Sequence, residues 1–242
     1  MIKLTLQPHV PVIIGITIVI SIFVLIAYSK LKKFNPLDEP KGIVLLCIML
    51  VEWIDGMIKD IVSEDYVEKM GPFIGTLAVY ILLANYIGLL GFENPTLNYS
   101  VTLAITLVAW IIFQLTDIKY QGLGKYLHTY IEPVFAFLPA NIFSALAPLI
   151  SMSMRLFGNV LSGAIIMGLL YSATSLLSNK LFPFLNGLNI VGPIFGSVLH
   201  LYFDLFAGFL QMYLFIMLTM VFTGTRIPEE AKNKDKIKKE GE

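Results

Sequence analysis

Residues 133–177 read PVFAFLPANIFSALAPLISMSMRLFGNVLSGAIIMGLLYSATSLL. No Asp, Glu or Lys lies between Glu132 and Lys180, and the one charge in the run is Arg155. An apolar run this long exceeds the roughly 20 residues that cross a bilayer as a helix. Arginine cannot be deprotonated in a protein. A charge at the centre of a membrane helix costs roughly 2.5–3.5 kcal/mol on insertion scales. The run therefore reads as a membrane helix, and Arg155 as a charge with a use.

The rest of the chain agrees. It has 242 residues, 57% of them hydrophobic and only 14% charged, with a mean hydropathy of +0.78. Soluble domains average about 25% charged residues, so the composition is that of a polytopic membrane protein. The net charge is zero, and the basic residues are not gathered on one face, so no nucleic-acid partner is expected. The single cysteine, Cys47, excludes an internal disulfide. His9, His128 and His200 are far apart in the chain. No metal and no cofactor are expected.

Outward from the central run, the pattern predicts an all-α integral membrane protein with five transmembrane helices. The spans fall at about 10–29, 73–92, 99–117, 134–177 and 188–223, within a single polytopic domain over 1–225. A charged cytoplasmic tail follows over 226–242. Glu93-Asn-Pro-Thr-Leu-Asn98 is rich in breakers and joins the second and third spans as a hairpin. Residues 42–61 differ: apolar positions recur at helical spacing, while Glu52, Asp55, Lys59 and Asp60 cluster in the second half. That is the pattern of one interfacial amphipathic helix. Residues 117–132 read as a polar loop, with Glu132 at a helix start where a carboxylate complements the dipole. A 35-residue helix is about 52 Å long at 1.5 Å per residue. The last two helices must therefore tilt strongly or break in roughly 30 Å of hydrocarbon. Pro139, Pro148 and Pro193 are the candidate break points.

The lysines after the first apolar run (Lys30, Lys32, Lys33) mark an uncleaved helix rather than a signal peptide. With the N-terminus outside and five crossings, all but three of the 17 Lys and Arg lie on the cytoplasmic side with the C-terminus. The exceptions are Arg155, Lys3 and Lys180. The positive-inside rule selects this orientation.

Two polar stripes run through the last spans. Ser151, Arg155, Asn159 and Ser162 share one face of a helix, spaced four, four and three apart. Gly158, Gly163 and Ala164 leave room for a second helix to approach. On the last helix Ser197, His200, Asp204, Gly208 and Gln211 recur at intervals of three and four. His200 stands one turn before Asp204, within reach of a hydrogen bond. Ionisable groups inside a membrane mark ion or proton paths, and this stripe reads as such a wall. A structural ion pair between Arg155 and Asp204 is the simpler alternative. For Asn159 and Gln211, interhelical hydrogen-bond glue stands beside an ion-path role. Phe and Tyr stripes elsewhere read as core or lipid contact.

Arg155-Leu-Phe-Gly-Asn159 closely resembles the signature of subunit a of F-type ATP synthases. Gln211-Met-Tyr-Leu-Phe-Ile-Met-Leu-Thr-Met-Val is similar to the Gln-Ala-Phe-Ile-Phe-x-x-Leu-Thr-x-Val run of the same family. Pro95-Thr96 before Val101-Thr-Leu is similar to the start of its third crossing. The resemblance covers Phe73 to Val221.

It implies the static side of a rotary ion channel in the Fo membrane sector, carrying H⁺ or Na⁺. A ring of c subunits, each with an essential carboxylate, turns against it between two half-channels. Arg155 is then the essential arginine facing that carboxylate. Asp204, His200, Asn159, Gln211, Ser151 and Ser162 line the ion path. The implied partners are the c-ring, the b subunits of the peripheral stalk and the rest of the F1Fo complex, in a bacterial plasma membrane. ATP chemistry belongs to other subunits, and the chain is not an enzyme on its own. Some members carry a glutamate five residues after their Asn and a histidine seven before their Gln. Here those positions hold Ala164 and Asp204, so the acid has moved to the other helix. Asn98 stands where many members have an Asp and takes no acid role. A stand-alone transporter binding an anion at Arg155, or an intramembrane enzyme built on His200 and Asp204, remains the rival. The first needs discontinuous helices at a midplane site; the second lacks a nucleophile.

Overall fold

The computed structural model describes residues 9–35, 39–181 and 188–228. Helix α1 spans His9–Leu31, α2 Ile43–Ile61, α3 Val67–Tyr86, α4 Tyr99–Gln121, α5 Leu123–Thr129, α6 Leu138–Leu181, α7 Val191–His200 and α8 Ala207–Gly224. Among the described residues there is no strand. Five helical stretches are long and apolar enough to cross a membrane: Val10–Leu31, Glu64–Leu90, Tyr99–Gln121, Phe135–Leu181 and Val191–Gly224. The fold is all-α, with the five spans read from the sequence.

The helices that form the core are α2, α3, α4, α6 and α8. Ile58, Ile74, Ile81, Phe113, Met152, Leu156, Phe215 and Ile216 are essentially inaccessible and pack as one cluster. α2 inserts Ile54 and Ile58 into that cluster and leaves Leu45, Leu46, Met49 and Val51 exposed. Its two apolar faces explain the helical recurrence seen in the sequence. The α3–α4 turn is fixed locally: Asn94 Oδ1 accepts from Thr96 N at 3.0 Å, and Asn98 Oδ1 accepts from Ser100 N at 2.9 Å. Each Asn side chain satisfies an orphan donor at a helix start.

Several boundaries differ from the sequence reading. α3 begins at Val67, not 73, and Pro72 lies inside it without ending it. α4 continues to Gln121, its last turn carrying polar residues beyond the apolar run. A short helix, α5, occupies the stretch read as a polar loop. Glu132 is not in the first turn of α6; it lies beyond α5, with Oε1 accepting from His128 Nδ1 at 2.9 Å.

α6 has 44 residues, about 66 Å at 1.5 Å per residue. It is unbroken, so tilt is the only way to fit it into roughly 30 Å of hydrocarbon. Pro148 does not break it. One turn earlier, Trp110 Nε1 of α4 donates to the Ala145 carbonyl at 2.8 Å. A cross-helix donor thus serves the turn the proline loosens. Pro193 sits in the first turn of α7, and Pro139 is the second residue of α6.

The tail divides. Residues 229–242 lie outside the described residues, as do Lys3 and Pro183. Arg226 is no free tail charge. Its Nη1 donates to Asp117 Oδ2 of α4 and, at 2.9 Å, to Gln114 Oε1. Its guanidinium lies 5.9 Å from the Phe113 ring centre, and burial lowers its pKa.

Candidate functional site

The last span is not a uniform helix. Between α7 and α8 the chain widens into π-helical turns over Leu201–Phe206, with Asp204 inside them. Such widenings occur mostly as local features at functional sites. They re-aim side chains without ending the helix. Here His200 Nδ1 lies 2.5 Å from Asp204 Oδ2, the contact expected from the four-residue spacing. His200 Nε2 lies 3.2 Å from the Tyr171 hydroxyl of α6.

Across the seam, Asn159 Nδ2 of α6 donates to Gln211 Oε1 of α8. The two stripes seen in the sequence therefore meet through this pair. Gln211 is 2% exposed, and its Nε2 has no hydrogen-bond partner among the described residues. A buried donor without a partner is costly, so this amide is poised for an acceptor. Glycines permit the approach on both sides. A Cβ on Gly163 would meet the Phe203 ring at 3.5 Å, and one on Gly208 would meet Tyr86 at 3.2 Å. Gly158, by contrast, faces open space.

Asn159, Ala164, His200, Asp204 and Gln211 line one cavity of about 170 Å³. That is room for a few waters, with polar partners to hold them. Asn85 and Asn94 line it too. Asn85 Nδ2 donates to the Gly208 carbonyl at 3.3 Å, and its Oδ1 accepts from Thr96 Oγ1 at 3.3 Å. The sequence reading missed Asn85, Asn94 and Tyr171. Asn85 carried a signal, since it is the one amide in the apolar run of α3.

Arg155 stands apart from this cavity's lining. It is half-buried and does not join the core cluster to which Met152 and Leu156 belong. Among the described residues its guanidinium makes no hydrogen bond or ion pair. Arg155 and Asp204 are therefore not a structural pair; the histidine takes the carboxylate instead. Ser151 is exposed on the Arg155 flank. Ser162 Oγ donates to the Asn159 carbonyl at 2.9 Å, so it is turned back onto its own helix. The structure brings together Asn159, Gln211, His200 and Asp204, and leaves Arg155, Ser151 and Ser162 outside that cluster. Among the described residues no group of three or more His, Cys, Asp and Glu could hold a metal ion.

A family model described as ATP synthase A chain matches residues 10–224. The chain belongs to the ATP synthase A chain family. It is 34% identical over 220 residues to the ATP synthase subunit a of Mycoplasma pneumoniae, covering 84% of this chain and 73% of that one. The protein of the same name from Mycoplasma genitalium is 34% identical over 236 residues, covering 88% and 78%. That of Bacillus velezensis is 31% identical over 194 residues, covering 74% and 79%. The family match spans all five apolar helices, both polar stripes and the cavity.

Proposed function

We propose that this chain is the ion-conducting stator subunit of the Fo sector of an F-type ATP synthase. The observation that carries the reading is Arg155: a permanent cation on a membrane helix with no partner among the described residues. A fixed charge left unpaired on an outward flank suits a partner that arrives and leaves. In this reading the partner is the carboxylate of a c subunit in a rotating ring. At 4 Å, opposite charges attract by about 4 kcal/mol at an effective dielectric of 20. That favours an ionised carboxylate opposite Arg155 without trapping it.

The polar cavity supports one of two half-channels. Ions reach the ring through it, past Asp204, His200, Asn159 and Gln211. Arg155 separates this path from the second half-channel and stops direct leakage. The exposed apolar faces of α6 and α8, including Met154, Ile165, Phe209 and Leu214, face the ring or lipid. The chain sits in a bacterial plasma membrane with its N-terminus outside and its C-terminus in the cytoplasm. The b subunits and the rest of F1Fo complete the assembly and carry the nucleotide chemistry.

The test is Arg155→Ala in the assembled complex. The variant assembles, but ATP-driven acidification of inverted vesicles falls to background. Acidification at the wild-type rate would overturn the reading.

A further inference from the structure

Tyr171 lies about 24 Å along α6 from Arg155 at 1.5 Å per residue. Its hydroxyl is 3.2 Å from His200 Nε2, while His200 Nδ1 is 2.5 Å from Asp204 Oδ2. One imidazole thus bridges a phenol on α6 and a carboxylate on the π-helical turn. The place of the hydroxyl is shaped by Gly196 of α7, where a Cβ would lie 2.5 Å from Tyr171 Oη. Any larger residue there must displace the phenol. The same turn of α6 is tied down, because Asn189 Nδ2 donates to the Tyr171 carbonyl at 3.1 Å. Phenol, imidazole and carboxylate are therefore held in line by two helices and a glycine gap.

We propose that Tyr171 is the end link of a proton wire, Tyr171–His200–Asp204. It rests on the ion-path reading above and adds a residue to it. With Asp204 ionised, the Nδ1–H of His200 donates to the carboxylate, and Nε2 accepts from the Tyr171 O–H. When a proton enters as hydronium, Tyr171 takes it, leaving water, and gives its own to Nε2. His200 then passes its Nδ1 proton to Asp204. Three bonds to hydrogen break and three form. Tyrosine and histidine end neutral, and Asp204 ends protonated. The imidazole is left in its other tautomer and resets by turning over or by exchange with water in the adjoining cavity.

The experiment uses the assembled complex in inverted membrane vesicles. ATP synthesis is driven by an imposed proton gradient. Tyr171→Phe keeps the ring and removes the hydroxyl. Proton-driven synthesis per assembled complex is expected to fall at least tenfold. Gly196→Ala displaces the hydroxyl from His200 and lowers the rate similarly, which reads the same link if Tyr171→Phe fails to assemble. Rates within twofold of wild type in both variants overturn the wire. Arg155→Ala, run alongside, separates the readings. If it abolishes synthesis while Tyr171→Phe and Gly196→Ala do not, only the wire falls. If it retains synthesis, the ion-path reading itself falls.

Discussion

Asp117 and Arg226 form the most deeply placed ion pair among the described residues, with side chains 12% and 18% exposed. Replacing Asp117 by Asn keeps the shape and removes the charge. Arg226 then retains Gln114 Oε1 at 2.9 Å and the Phe113 ring at 5.9 Å, but no anion. Breaking one side of a buried pair costs about 3–5 kcal/mol, because the survivor is left uncompensated. The amide acceptor and the ring offset part of this; a guanidinium over a ring contributes about 0.5–1 kcal/mol at exposed sites and more when desolvated. The expected loss is therefore about 3 kcal/mol, or roughly 150-fold in the folding equilibrium. Replacing both residues, as Asp117→Leu with Arg226→Met, removes the stranded charge and is expected to cost about 1 kcal/mol or less. The assay is detergent-titrated unfolding of the purified chain for each single variant and the double. The cycle should give a coupling energy of at least 2 kcal/mol. Additive losses, or a single-variant loss below 1 kcal/mol, would refute the reasoning. Either would mean that Arg226 reaches water along its own stem.

Three further outcomes follow from the geometry. Gly208→Ala places a Cβ 3.2 Å from Tyr86 and 3.3 Å from Asn85; overpacking of this kind costs about 1–3 kcal/mol, read as a lower midpoint in the same titration. Gln211→Leu removes the buried amide and leaves Asn159 Nδ2 without its acceptor; ion-driven ATP synthesis should fall at least fivefold with assembly intact, and an unchanged rate would assign the pair to structure alone. Tyr126 of α5 has its pKa raised to about 12 by burial and by the Tyr130 hydroxyl, 2.8 Å away. Its folded pKa exceeds the unfolded value near 10, so the associated stability is full below about pH 10 and is lost as pH rises toward 12. The difference in tyrosinate absorbance between wild type and Tyr126→Phe should centre near pH 12, and a centre near 10 would refute it.

What the sequence made legible was what depends on runs and turns. Five apolar stretches, the Asn-Pro hairpin and the amphipathic α2 each follow from periodicity over one continuous segment. The His200–Asp204 contact was readable for the same reason, since four residues make one turn. Contacts between elements were not readable. Asn159 and Gln211 showed as members of two separate stripes, and only the packing of α6 on α8 joins them. Arg226 read as a tail charge because its partner lies on α4, more than a hundred residues away in the chain. Tyr171 was hidden by its type: an aromatic in an apolar run reads as lipid contact until a neighbour offers its hydroxyl a partner. The short α5 was masked by Gly124 and by Lys125, Tyr126 and His128, which leave too little apolar pattern to mark a helix.

Arg155 and Asp204 are held in opposite ways, and the contrast bears on their proposed roles. Asp204 has an imidazole one turn away, whose ring nitrogen can donate to it or accept from it. That is the requirement for a group that must take up and release a proton repeatedly. Arg155 cannot change its charge, so no such neighbour would help it; a permanent carboxylate beside it would only cancel the field it projects. Leaving it half-buried and unpaired keeps that field available at the flank of α6. In the proposed reading, one group changes state while standing still, and the other keeps its state while its partner moves. If Asp204→Asn abolished proton-driven turnover while Asp204→Glu preserved it, the first half of this contrast would stand. If Arg155→Lys preserved turnover fully, the second half would reduce to a requirement for positive charge alone, without the planar fork that sets arginine apart.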